Sequence, residues 1–168
     1  MTNEELIALA VFMGLLAYVV LLLRRLVHRP ARRLDPQTHI IVDGSNVMYW
    51  GGEPSAQVLV GVLKTLRAQD LIPLVYFDAN VGYKLWDRYA DAETIARKLR
   101  GDPTRIFVVP KGVTADELLL QAAADHGLRV VTNDRFLDWR GQFPQIDDTV
   151  ALVKGRVHPG GVTFRGLE

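Results

Sequence analysis

The sequence predicts an α/β protein, a three-layer α/β/α arrangement with a central, mainly parallel sheet. Three observations predict it. Short β-branched runs at His39–Val42, Ile72–Phe77, Arg105–Val109 and Leu128–Thr132 alternate with segments of helical period. That βαβαβαβ order requires parallel strands joined by crossovers, with helices on both faces of the sheet. An acid also follows one strand after another: Asp43, Asp78 and Asp134. In a parallel sheet these positions share one edge, where α/β proteins bind their ligands.

The length of 168 residues suits one ordinary domain with a small appendage. The formal charge of +1 argues for no particular partner. Cysteine is absent, which excludes disulfides, thiolate zinc sites and a cysteine nucleophile. The charge is unevenly spread. Residues 1–38 hold five arginines against three acids, a net of +2, and the remainder holds 15 basic against 16 acidic side chains, a net of −1.

Leu6 to Leu23 is an uncharged run of 18 residues. As a helix it covers about 27 Å, close to the hydrocarbon thickness of a bilayer. It is apolar all round, unlike a helix packed on a core. Glu4 and Glu5 before it and Arg24-Arg25 after it do not fit a cleaved signal peptide. Arg24, Arg25, Arg29, Arg32 and Arg33 all follow the span, so the positive-inside rule keeps that side in the cytoplasm. The expected order is an extracytoplasmic tail (1–5), a transmembrane helix (6–23), a basic juxtamembrane tether (24–38) and the α/β domain (39–168). The setting would be a bacterial-type inner membrane, with the domain in the cytoplasm. The tether arginines would also attract anionic headgroups of the lipid bilayer, at about 1 kcal/mol each.

Along the domain, Pro36 and Gly44 bound the first strand. Glu53-Pro54-Ser55 reads as a helix start, and Leu59, Val62, Leu63 and Leu66 follow at helical spacing. Residues 79–90 form a loop or a short helix. Asp91–Leu99 reads as a helix stopped by Gly101. Thr114-Ala115-Asp116-Glu117 fits a capping box opening a helix that runs to Asp125. Arg135–Trp139 reads as a helical turn, which would set Asp134 and Asp138 on one face. Val150–Val157 and Gly161–Phe164 read as a hairpin joined through His158-Pro159-Gly160.

Asp43, Asp78, Asp116, Asp134 and Asp138 therefore gather near one sheet edge. Singly, each could be a turn former or a helix cap. Together they repel, and a divalent cation relieves that repulsion. Mg²⁺ or Mn²⁺, held by one or two carboxylates, waters and phosphate oxygens, suits phosphodiester hydrolysis. Lys84, Arg88, Lys111 and Arg135 fall in nearby loops and could hold phosphates, and Tyr83 and Trp86 could stack on unpaired bases. The haloacid-dehalogenase phosphatase pattern is absent, since Ser45 stands two residues after Asp43.

The stretches Val42-Asp43-Gly44-Ser45-Asn46-Val47, Ala115-Asp116-Glu117 and Val131-Thr132-Asn133-Asp134-Arg135-Phe136-Leu137-Asp138 resemble the NYN domain, a branch of the PIN-like nucleases. They are especially similar to the ribonuclease domain of the Regnase type. The resemblance covers about residues 39–140. It implies a metal-dependent endoribonuclease, with Asp43, Asn46, Asp116 and Asp134 at the catalytic positions and Asp138 as a more peripheral acid. It implies RNA as substrate, with Ser45 among the residues near it, and a possible homodimer. The relatives carry paired aspartates at the helix start, and here the first of the pair is Ala115. Asp78 is the candidate to stand in for it. If nothing does, the alternative is an inactive module that binds RNA or acts as a scaffold at the membrane.

Overall fold

The computed structural model describes residues 33–147 and 151–167. The predicted span over 6–23 lies outside them, and among the described residues no helix is long and apolar enough to cross a membrane. Residues from Leu34 onward form a compact unit with its own core.

The strands are β1 (His39–Asp43), β2 (Ile72–Phe77), β3 (Ile106–Val108), β4 (Val130–Val131), β5 (Leu152–His158) and β6 (Gly161–Arg165). They form one sheet in the order β3-β2-β1-β4-β5-β6. Neighbours from β3 to β5 pair in parallel, and β6 closes the edge antiparallel to β5. The helices are α1 (Gly44–Val47), α2 (Ala56–Arg67), α3 (Val81–Trp86), α4 (Ala92–Lys98) and α5 (Ala115–His126). Strand order therefore grows one way from β1 to β3 and the other way from β4 onward. The reversal lies between β1 and β4, and doubly wound sheets open their ligand crevice at such a point.

The alternation of β1 explains the three layers. Ile40 and Val42 face the core under α2 and α4, with Leu59, Val62, Leu63, Leu66, Ile95 and Leu99 fully buried there. Ile41 faces the opposite core, under α5, with Leu119, Leu120, Phe136 and Phe143. Each such buried aliphatic side chain contributes about 1.5–3 kcal/mol.

The expected elements recur with shifted ends. Ser55 caps α2 by accepting from Val58 N–H, and Asp91 caps α4 by accepting from Thr94 N–H. The ambiguous stretch contains helix α3. Asp43 caps the short α1. Two local expectations are corrected. Thr114 makes no capping hydrogen bond at α5. The stretch after β4 is not one helical turn: Phe136 is left-handed (φ 47°) and a 3₁₀ turn follows at Leu137–Trp139.

Candidate active site

The site begins where β1 ends. Asp43 is only 2% exposed, because its backbone still pairs in the sheet while its side chain turns back over α1. That turn needs Gly44, since a Cβ there would fall inside the Phe77 ring. One Asp43 oxygen accepts from Asn46 N–H at 3.0 Å, and the other accepts from Thr132 Oγ1 at 2.8 Å. Thr132 follows β4 directly, is fully buried, and also accepts from Asp134 N–H at 3.0 Å. One hydroxyl thus ties the first acid to the loop carrying the last.

Burial pushes the Asp43 carboxyl up to about 7, and the charges of Asp116 and Asp134 push the same way. The bonds from Thr132 and Asn46 oppose them. Asp116 is also raised, by its own partial burial and then by Asp134 and Asp78, while a hydrogen bond with Trp139 lowers it. These mutual effects link Asp43, Asp78, Asp116 and Asp134 as one electrostatic group. Asp138 is exposed on the 3₁₀ turn and is not among the acids acting on Asp43 or Asp116. The left-handed Phe136 breaks the helical register that would have set it beside Asp134.

Asp78 reaches the start of α5. Its Oδ1 accepts from Ala115 N–H at 3.2 Å, so a carboxylate from the end of β2 caps α5. Ser45 holds it there by accepting from Asp78 N–H at 2.9 Å. Ser45 is therefore a brace between α1 and the end of β2.

Asn46 is a hub. Its Oδ1 accepts from Trp50 Nε1 and from Asn133 N–H, both at 2.9 Å. Asn133 in turn clasps the backbone of Gly155 through both its amide atoms. Sequence reasoning passed over Thr132, Trp50, Asn133 and Lys154. Lys154 Nζ donates to the Asp134 carbonyl at 2.6 Å. Partial burial lowers the Lys154 amine, while the charges of Asp134 and Asp43 raise it. The one sequence signal was Asn133 itself, a second amide beside an acid at a strand end.

The basic loop residues spread more widely. Lys84 lies over the Tyr49 ring, 5.5 Å from its centroid, and Arg88 is exposed in the loop after α3. Arg135 is exposed near Lys154. Lys111 lines an open groove of about 1110 Å³ that also touches Asp78, Tyr76, Tyr83, Tyr89 and Phe107. Trp86 does not line it; the ring is half-buried and covered by Lys98. His39 stands at the opposite end of β1, and His126 ends α5.

Among the described residues no three His, Asp or Glu side chains stand as a ready-made metal cage. The metal-ligating groups near Asp43 are carboxylates, and burial, followed by the charges of Asp116 and Asp134, suppresses the ionisation of Asp43. A hard divalent cation completed by water or phosphate oxygens fits such a set.

An α/β sheet with buried and half-buried acids at its switch point defines the class. No family model and no curated protein matches the chain. Solved structures do. The crystal structure of nuclear proteinaceous RNase P 2 from Arabidopsis thaliana is 20% identical, with a TM-score of 0.59, over 76% of this chain and 29% of that one. A second structure of that protein is 19% identical, with a TM-score of 0.58, over 98% of this chain and 37% of that one. The likeness shows a fold shared with part of a larger protein.

Proposed function

We propose that the chain is a metal-dependent ribonuclease of the PIN-like and NYN kind, attached to the inner face of a cytoplasmic membrane. One observation carries the catalytic part of the reading. Asp43 is sealed from water at the switch point, oriented by two hydrogen bonds, and crowded by Asp116 and Asp134. The fold shared with part of an RNase P supports it. Asp78 at the Ala115 N–H supports an enzyme over the scaffold alternative, because β2 would then supply the acid that the helix start lacks.

Asp43, Asp116 and Asp134 would hold Mg²⁺ or Mn²⁺, with Asp78 as a further candidate. The ion supplies charge neutralisation at a scissile phosphodiester and a site for the attacking water. The chain's own residues do the rest. Thr132 and the Asn46 N–H fix the direction of Asp43, and Lys154 holds the turn that carries Asp134. The groove beside Asp78 offers exposed tyrosines and Phe107 to unpaired bases, and Lys111 to a phosphate. That chemistry favours single-stranded RNA.

The test uses purified residues 34–168 and single-stranded RNA. Cleavage should require Mg²⁺ or Mn²⁺, and Asp43→Asn should abolish it while RNA binding survives. No cleavage with either ion, together with no metal binding by calorimetry, would refute the reading. The membrane part is checked by fractionating cells that carry the full chain with and without residues 6–23.

A further inference from the structure

We propose that a pocket formed by Arg67, Arg100 and Arg105, on the sheet edge opposite Asp43, binds the phosphate of an anionic lipid headgroup. The inference rests on the membrane-attached reading above.

The pocket holds about 190 Å³ and has an apolar floor of Pro73, Val75 and Ile106. That is smaller than the ~300–1,000 Å³ typical of organic-ligand sites, and it suits a compact anion. Guanidinium forks match phosphate oxygens two at a time. Two of the three arms are steadied from within the domain. Arg67 Nη1 donates to the Arg100 carbonyl at 3.4 Å, and Arg105 Nε stands 3.5 Å from Asp102 Oδ2. Asp102 is the one carboxylate in the lining, so positive charge is left in surplus.

Arg100 adds an independent observation. Its φ is 53°, a left-handed conformation that glycine adopts freely and that aspartate tolerates. Asp70, Asp87 and Phe136 fill the other three such non-glycine positions among the described residues. At Arg100 the chain keeps a long cation there, although Gly101 is the next residue.

The location identifies the ligand. Ile72 N–H donates to the Thr38 carbonyl at 2.7 Å, and His39 pairs with Ile72. The segment leading from the basic tether into β1 therefore meets the sheet on the same edge as the pocket. The acids lie toward the other end of the strands, roughly 10–16 Å along from Pro73 at about 3.3 Å per residue, since Asp43 is in register with Tyr76 and Asp78 follows β2. Residues 34–168 hold 15 basic against 17 acidic side chains, a net of −2. Overall charge therefore repels an anionic surface, and attraction has to come from a local patch. With the pocket on the bilayer, the acidic edge faces the cytoplasm.

The test uses residues 34–168, which lack the predicted span, and phosphatidylcholine vesicles with or without phosphatidylglycerol. The domain should bind only the anionic vesicles, more weakly as salt rises. Each single Arg→Gln change should weaken binding about fivefold, and all three together about 100-fold, as ~1 kcal/mol per arginine gives. A triple Arg→Lys variant keeps the charge without the fork, so it should bind more weakly than the unaltered domain and more tightly than the triple Gln variant, which separates lost charge from lost fold. Inorganic phosphate should compete, and a short single-stranded RNA should not. No binding, equal binding to both vesicles, Gln variants that bind like the unaltered domain, or displacement by RNA would each overturn the proposal. None of these results bears on the anchor, which the fractionation experiment tests separately.

Discussion

A carboxyl group sealed from water beside two other acids holds its proton longer than an exposed one, and Asp43 is in that position. Its value near 7 in the folded chain compares with 3.8 for the free group. The unfolded chain therefore gives up this proton first as pH rises. Between about pH 4 and 7 the folded state binds more protons, so stability falls across that window. The roughly three-unit shift corresponds to at most ~4 kcal/mol. Asp43→Asn removes the titration and should flatten the profile. Urea unfolding of residues 34–168 in a chelator, at pH 5 and pH 8, measures the difference. The unaltered domain should lose a few kcal/mol between the two, and the Asn variant much less. Equal losses would mean that Asp43 is ionised in the fold without penalty.

At the scale of elements, the end of β2 governs the start of α5. The Thr114 hydroxyl makes no capping bond, and the Asp78 carboxylate caps the helix across the crevice. Asp78→Ala should cost about 1 kcal/mol, the usual worth of a cap. Asp78→Asn keeps an acceptor for Ala115 N–H and removes the charge. Stability should then fall in the Ala variant alone, while RNA cleavage falls in both. An Asn variant as active as the unaltered chain would reduce Asp78 to a cap. This cap also marks where sequence reading stops. Asp43 and Asp134 were legible because an acid after an apolar run declares a strand end, and strand ends converge; Asp116 was legible because it opens a helix at that same end of the sheet. Thr132 was not legible as a partner of Asp43. Its bond spans 89 residues and depends on β4 lying beside β1, which strand order alone decides. The register of Asp138 was misread because it assumed a helical turn from Arg135 that the left-handed Phe136 interrupts.

For the whole molecule, the C-terminal hairpin is part of the site. The residues that carry the family resemblance end near Asp138, yet β5 pairs with β4 and buries Val153 completely. Gly155 in β5 accepts from the Asn133 side-chain N–H at its carbonyl and donates its own N–H to the Asn133 Oδ1. Trp50 lies directly over Gly155, meets the Phe164 ring of β6 edge-on, and donates to Asn46. A Cβ at Gly155 would fall inside the Trp50 ring. The same ring that packs on β5 and β6 thus holds the side-chain amide of Asn46, the residue whose backbone N–H bonds Asp43. Gly155→Ala should therefore destabilise the domain by roughly 1–3 kcal/mol, as overpacking does. It should also loosen Asn46, although neither residue is an acid. The cost should depend on Trp50. In a Trp50→Leu background, where the ring is gone, Gly155→Ala should cost little more than its intrinsic backbone effect. The two changes should then be non-additive by about 1 kcal/mol or more in a double-mutant cycle read by urea unfolding. Strictly additive costs would mean that the hairpin packs beside the site without ordering it.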